Sequence, residues 1–471
     1  MVARLTLLSW LCLVASCFVL PAQADTWLKL TDSRKEKINE PVFQGKAQIY
    51  EAGLKQRQTV VLVHGLGGTG AGDMREIIPY LAKHFHVLTF DLPGFGQSDA
   101  GNKLYSPEKY VQFIRYVVKQ RAKGSIYLLG HSMGGLIALR YAATYHNEVS
   151  RLILVSVAGV LHRVSYSKHL VALGLGQVSQ LGSLGQRISG MVNHMMDKLA
   201  ARRLPDELVL LTPVTRQKLF NGEASKIAGY AMIVDDVSAF IPKVQAPTLI
   251  IWGEDDNIAP LRTAKLLGFN LPNARLVVLD RSGHVPMKER PERFTALVLK
   301  HLSMSDDALR QAQRSERYAL AVQMPKKTVR RGQCRDTRGR VFEGDYALLI
   351  IDNCQDVLVR NGHIGQLVIR DSSAELENLR LRSKGTALQV IRSDIQMTAS
   401  HIQGQTAIEM AQSRADLAGV HVVGDKAAIK EISKAGAALP SSVIFSVSRI
   451  ESPATFSYLH GYRQLLPGAA L

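Results

Sequence analysis

A chain of 471 residues has the length of roughly three ordinary domains. No segment after the first 24 residues reaches the ~18 consecutive apolar residues of a membrane-spanning helix, which sets aside a helical integral membrane protein. The formal net charge of +18 favours anionic neighbours, such as membrane phosphates or an acidic envelope polymer; nucleic acid is not expected as a partner of an exported chain.

The start of the chain reads as an export signal. Arg4 is its single basic residue, residues 5–20 are almost wholly apolar, and Ala22-Gln23-Ala24 is a small-x-small cleavage site. The expectation is a signal peptide at 1–24 and a periplasmic or secreted protein. A lipoprotein is the alternative, because Leu13-Val14-Ala15-Ser16-Cys17 resembles a lipobox, although Phe18-Val19-Leu20 carries the apolar core past Cys17. Cleavage would remove Cys12 and Cys17. It would leave Cys334 and Cys354 in an oxidising compartment, where pairing is expected.

The mature chain opens with a mixed segment containing Gln48-Ile49-Tyr50, expected as an edge strand. Strand-length apolar runs follow at 59–63, 87–90, 126–129 and 152–157. Between them, 74–83, 107–120 and 136–145 carry helical spacing. Strands apolar on both faces, alternating with helices, predict a parallel sheet covered on both sides. The alternation stops near residue 161. Residues 161–241 read as a helical cap inserted over the carboxyl edge of the sheet, rich in Leu, Gly and Met (Met191, Met195, Met196), which suits an apolar substrate surface. Strands at 248–252 and 275–279 and a helix from Pro291 to about residue 301 close a domain spanning 25–305.

Residues 306–340 read as a charged linker. Lys326, Lys327, Arg330, Arg331, Arg335, Arg338 and Arg340 face a single acid, Asp336, across its second half. From residue 341 a repeat of 20 residues sets in. Similar segments open at Asn353, Ser373, Ser393 and Ser413, and Thr386 and Thr406, like Gly404 and Gly424, keep the same spacing. Short strands at that period mark a solenoid. Residues 341–471 resemble the right-handed parallel β-helix repeats of the pectate-lyase-like superfamily; a small β-sandwich is the alternative. No cluster of Asp, Lys and Arg matches a lyase site, so that activity is not carried over. From Pro440 the period is lost, and the last segment is expected to cap the open end. In such a stack Cys334 and Cys354, one repeat apart, would lie near the inter-strand spacing of about 4.8 Å, within the Cα range of about 4.4–6.8 Å that a disulfide tolerates.

Five motifs follow strand ends in order: His64-Gly65-Leu66-Gly67-Gly68, the segment from Asp91 to Asp99, Gly130-His131-Ser132-Met133-Gly134, Trp252-Gly253-Glu254-Asp255-Asp256, and Ser282-Gly283-His284. The third is a G-x-S-x-G pentapeptide between a strand and a helix, where a sharp turn would expose the serine hydroxyl. A serine hydroxyl is a poor nucleophile at neutral pH and needs a base within hydrogen-bond reach. Over residues 45–302 the chain resembles the α/β-hydrolase fold superfamily, in its cap-bearing serine esterases. The resemblance implies Ser132 as nucleophile, Asp256 as triad acid with Asp255 as the alternative, and His284 as base. It implies an oxyanion hole from the N–H groups of Leu66 and Met133. His64 is expected to stabilise its loop, and Asp91, Gly94 and Gly96 to shape a turn. The expected architecture is an α/β-hydrolase sheet with a helical cap, followed by a small parallel β-helix. The expected activity is that of an exported serine hydrolase acting on a small-molecule or lipid ester, with no metal and no cofactor. Two alternatives stand beside it. Residues 279–284 and Glu289-Arg290-Pro291 also resemble carbon–carbon bond hydrolases, and the repeat segment could serve a scaffold that binds an envelope polymer.

Overall fold

The computed structural model describes residues 30, 32–67, 69–175, 210, 212–312, 330–433 and 440–471. The expected signal peptide, residues 176–209 and 211 of the expected cap, residues 313–329 of the expected linker and Gly68 lie outside the described residues. The described residues fall into two compact units. The first takes those within Met1–Val160, Arg203–Ala264 and Leu271–Ser315; the second takes those within Leu161–Arg202, Lys265–Asn270 and Glu316–Leu471. The expected cap is thereby divided, with its described residues up to 175 in the second unit and those from 210 in the first.

The first unit holds an eight-stranded sheet of β1 (Ser33–Glu40), β2 (Gly45–Ala52), β3 (Thr59–Val63), β4 (His86–Phe90), β5 (Ile126–His131), β6 (Val149–Val155), β7 (Thr248–Gly253) and β8 (Ala274–Leu279). Their order is β1-β2-β4-β3-β5-β6-β7-β8. β2 runs antiparallel to β1 and β4, and every other pair is parallel. β3, β4 and β7 are buried at every position, as strands covered on both faces must be.

Helices among the described residues include α1 (Ile78–Leu81), α2 (Pro107–Arg121), α3 (Met133–Thr144), α4 (Arg163–Leu175, in the second unit), α5 (Pro213–Phe220), α6 (Ala224–Ile233), α7 (Leu261–Asn270, its residues from Lys265 in the second unit), α8 (Pro286–Glu289) and α9 (Pro291–Ser303). α2 shows why such segments start where they do. Ser106 caps it by accepting from Lys109 N at 3.3 Å, and Pro107, which has no N–H to satisfy, stands in its first turn.

Two expectations in this unit are corrected. β2 is not the edge strand, because β1 pairs along its outer side. The β1 sequence buries only Ile38 and Glu40, so its charges hide a strand that needs them as an exposed edge. Residues 74–83 are not one helix. A 3-10 turn at Gly70–Met74 is followed by the single turn of α1. Pro79 cannot donate within a longer helix, so the chain restarts with it in the first turn.

The second unit is built on a twelve-stranded sheet from β9 (Arg331–Arg335) to β20 (Thr455–Leu465), parallel except where β20 returns along β19 (Ser441–Ser452). β12 (Val357–Arg370) pairs with β13 (Ser373–Arg382) along its first half and with β14 (Thr386–Ile391) along its second, so the sheet closes on itself. The register carries the sequence repeat. In the pairing of β14 with β16 (His401–Ala411), Thr386 lies opposite Thr406; in that of β16 with β18 (His421–Glu431), His401 lies opposite His421 and Gly404 opposite Gly424. Alternate residues point inward, and Leu349, Ile351, Leu367, Ile369, Leu388, Val390, Ile408 and Ile429 share one core.

A column of buried serines runs along this sheet. Cys354 N donates to Ser372 Oγ at 2.9 Å, Ser372 N to Ser393 Oγ at 3.0 Å, Ser393 N to Ser413 Oγ at 3.1 Å and Ser413 N to Ser441 Oγ at 3.1 Å. Each hydroxyl takes up an N–H that the turning backbone would otherwise bury unpaired.

The ends of this sheet differ from expectation. Arg331–Arg335, inside the segment expected as linker, is a strand that pairs in parallel with β11 (Tyr346–Asp352). Cys334 faces the core while Arg331 and Arg335 face out, so charge masks the alternation. From residue 440 the 20-residue period is lost, as expected, while the pairing continues: β19 pairs with β17 (Arg414–Ala418) and β18, at a spacing of 28 residues where the preceding junction has 20. The structure joins Cys334 to Cys354 in a disulfide with Cα atoms 6.4 Å apart. The two are not stacked in register, since Cys334 lies opposite Ile351 and the bond reaches on to Cys354 in the following turn.

Candidate active site

The hydroxyl of Ser132 is presented by an unusual piece of backbone. β5 ends at His131, α3 begins at Met133, and Ser132 between them has φ 54° and ψ −122°. A non-glycine residue there is strained and persists only where its surroundings hold it. The flanking glycines make room for the turn. A Cβ on Gly130 would lie 2.2 Å from Gly134 O, and one on Gly134 would lie 2.3 Å from Val63 O. No side chain fits at either position.

Three side chains converge at this turn. His284 Nε2 lies 3.0 Å from Ser132 Oγ. His284 Nδ1 lies 3.0 Å from each carboxylate oxygen of Asp256. Asp256 has a fully buried side chain, whereas Asp255 is exposed. Asp256 Oδ1 also accepts from Ile258 N at 3.0 Å and Ala259 N at 2.8 Å, which fixes the carboxylate in place. Of the two adjacent acids, the structure therefore brings Asp256 to the imidazole.

Met133 opens α3, so its N–H is one that a helix leaves without an internal acceptor. Leu66 follows β3 in the facing turn and is half-buried, close to Gly229 of α6. His64 stands behind this turn. Its Nδ1–H donates to Gly65 O at 2.7 Å and its Nε2 accepts from Leu92 N at 2.9 Å. Burial keeps the His64 pKa below that of a free imidazole, so the ring is a neutral brace. Asp91 accepts from Ala71 N and Gln97 N at 2.8 Å each and from Tyr50 Oη at 3.1 Å, which fixes the turn that follows β4.

The structure brings in three further neighbours, of which His131 and Glu289 belong to motifs noted in the sequence and Lys288 does not. His131 Nε2 lies 2.8 Å from the carbonyl oxygen of His284. Glu289 gathers the histidine loop, accepting from Ser282 Oγ at 2.9 Å, from Gly283 N and from Val285 N at 3.4 Å. Lys288 Nζ pairs with Asp73 at 2.8 Å, linking that loop to the turn at Gly70–Met74. The Lys-Glu pair soon after His284 was the available signal for the last two; His131 fills a variable position of the pentapeptide and carries none. Among the described residues no group of three His, Cys, Asp or Glu side chains is placed to hold a metal ion.

Comparison with known proteins bears on the same region. The model of the α/β hydrolase fold family matches residues 58–291. The chain is 30% identical over 296 residues to a 2-hydroxy-6-oxo-6-phenylhexa-2,4-dienoate hydrolase of Burkholderia cepacia, covering 58% of this chain and 97% of that protein. It is 27% identical over 259 residues to a 2-hydroxy-6-oxo-6-(2'-aminophenyl)hexa-2,4-dienoic acid hydrolase of Metapseudomonas resinovorans, covering 54% and 87%. It is 28% identical over 255 residues to the uncharacterized hydrolase YugF of Bacillus subtilis (strain 168), covering 52% and 89%. A buried parallel sheet, a serine on a strand-to-helix turn and a relative matched over nearly its whole length agree: the chain belongs to the α/β-hydrolase family and is a hydrolase of that fold.

Proposed function

We propose that the protein is an exported serine hydrolase that cleaves carboxylic esters through an acyl-enzyme on Ser132. The observation that carries the reading is the continuous hydrogen-bonded line from Ser132 Oγ through His284 to Asp256, each link 3.0 Å. In the reaction His284 Nε2 takes the Ser132 proton as Oγ bonds to the ester carbonyl carbon. The N–H groups of Leu66 and Met133 receive the oxyanion of the tetrahedral intermediate. The carbon–oxygen bond to the alcohol then breaks, and His284 returns its proton to the departing alkoxide. A water molecule, deprotonated by His284, attacks the acyl-enzyme and releases the acid and Ser132. Asp256 holds the imidazole in the required tautomer and stabilises the imidazolium.

Carbon–carbon bond hydrolysis is the second reading, favoured by the names of two relatives, which act on 2-hydroxy-6-oxo-dienoates. One panel separates the two. Purified protein is offered 4-nitrophenyl esters of graded chain length and, in parallel, 2-hydroxy-6-oxo-6-phenylhexa-2,4-dienoate. Ester turnover that exceeds dienoate cleavage in kcat/KM supports the ester reading; the reverse ranking replaces it with the second.

The second unit is read as a parallel β-helix. The 20-residue register between β14, β16 and β18 supports this. Arg331, Arg335, Arg338 and Arg340 stand exposed at its first strands, which suits docking to an anionic envelope polymer or membrane surface. Export rests on the segment at 1–24, and an N-terminal sequence beginning at Asp25 in periplasmic or culture fractions is its test.

A further inference from the structure

The residue beside the nucleophile also holds the base. His131 is the last residue of β5 and is covalently joined to Ser132. Its Nε2 lies 2.8 Å from the His284 carbonyl oxygen, and the two imidazole centroids are 4.9 Å apart. Only an N–H can make that bond to a carbonyl, so Nε2 carries the proton and Nδ1 is left as an acceptor in the neutral ring. Nδ1 is buried and has no partner among the described residues. It faces the turn that carries Leu66, since a Cβ on Gly65 would lie 3.3 Å from it. Burial, followed by the nearby His284, lowers the His131 pKa to about 4, against a smaller opposing pull from Asp73. The ring is therefore uncharged near neutral pH, where a second imidazolium would oppose proton uptake by His284.

We infer that His131 is a positioning residue of this site, fixing His284 against Ser132 through the main-chain carbonyl of His284. The inference rests on the serine-hydrolase reading above. The physical reason is that one residue ties both partners to one frame. Ser132 follows His131 by a peptide bond, and His284 hangs from the His131 imidazole by a hydrogen bond. The Glu289 carboxylate and the Lys288–Asp73 ion pair hold the flanks of the histidine loop. The bond from His131 reaches the base residue itself. If it is lost, the imidazole can drift relative to Oγ, and a displacement of about 1 Å is worth about 10²-fold in rate.

Three variants test this. In His131→Gln the amide nitrogen superposes on Nε2 and can still donate to the carbonyl. In His131→Asn the amide stands at the Nδ1 position and falls short. His131→Leu fills the space without a donor. Each is titrated to completion with a fluorophosphonate, so that only folded, reactive sites are counted. The expected result is kcat for His131→Gln within about tenfold of the parent, and a loss of about 10²-fold in kcat at unchanged KM for His131→Asn and His131→Leu. Asn and Gln variants of equal kcat overturn the inference, as does a loss confined to KM. If the parent protein itself fails to react with the fluorophosphonate, the serine-hydrolase reading falls, and the inference with it.

Discussion

A hydroxyl, an imidazole and a carboxylate linked at 3.0 Å act as one unit, so their removal is not additive. Ser132→Ala and His284→Ala are each expected to lower ester kcat by about 10⁶-fold, with thermal melting unchanged within a few degrees. Near-parental turnover in either would remove that residue from the chemistry. The neighbouring acids give a sharper comparison. Asp256→Asn should cost about 10⁴-fold in kcat, because the amide holds the wrong imidazole tautomer. Asp255→Asn should cost far less, because Asp255 is exposed and the imidazole bonds Asp256. A reversed order in kcat measurements would move the role by one position. The spacing of the motifs indicated Ser132, Asp256 and His284 because each stands at a strand end beside diagnostic glycines. His131 gave no such signal. It fills a variable position of G-x-S-x-G, and its partner is a main-chain atom 153 residues away, which side-chain pattern cannot reveal.

Single elements carry their own predictions. Gly134→Ala would place a Cβ 2.3 Å from Val63 O and 2.4 Å from His64 O, both main-chain atoms that cannot swing aside. Overpacking of that kind costs roughly 1–3 kcal/mol or more. The expected outcome is a melting temperature several degrees lower together with lost turnover, and a variant melting like the parent would contradict the close approach of α3 to β3. In the second unit, Ser393→Ala leaves the buried Ser372 N–H without its acceptor and removes the donor to Ile391 O. The cost is about 1–3 kcal/mol, read from urea unfolding; a change under a few tenths would mean the serine column contributes nothing. The strands that were legible in the sequence are the buried parallel ones, whose apolar runs leave no other reading. β1 and β9 were not, because an edge strand satisfies its exposed face with Arg, Lys and Glu, and those residues imitate a linker. β19 was missed for another reason. Its segment keeps the pairing while the spacing jumps from 20 to 28, so a search by period ends one strand too soon.

Over the whole molecule, buried histidines set the response to acid. The pKa values of His131 and His301 are lowered to about 4, in each case first by burial and then by a neighbour, His284 for His131 and the Arg151 guanidinium for His301. An unfolded histidine takes up its proton near pH 6.5. Between about pH 6.5 and 4 the unfolded chain thus binds protons that the folded chain does not, and stability falls as the pH is lowered through that window. The urea midpoint of the first unit should be lower at pH 5 than at pH 7; an unchanged or higher midpoint would contradict neutral burial of these rings. The disulfide is checked by intact mass after alkylation without reductant. No alkyl group should attach to native mature protein, whereas two would mean free thiols at Cys334 and Cys354. Closing that 20-residue loop should contribute about 3 kcal/mol, visible as a lower melting temperature once reduced. The serine column has a consequence of a different kind. Each serine hydroxyl meets only main-chain groups, and each serine N–H meets the next serine hydroxyl: Ser393 Oγ accepts from Ser372 N, and Ser413 Oγ accepts from Ser393 N. A 20-residue segment such as 393–412 therefore carries both halves of its own junction. Copying that stretch of gene in tandem would insert a rung that meets the same groups above and below, so this half of the protein can lengthen by duplication while the hydrolase half, whose partners are individual side chains, cannot.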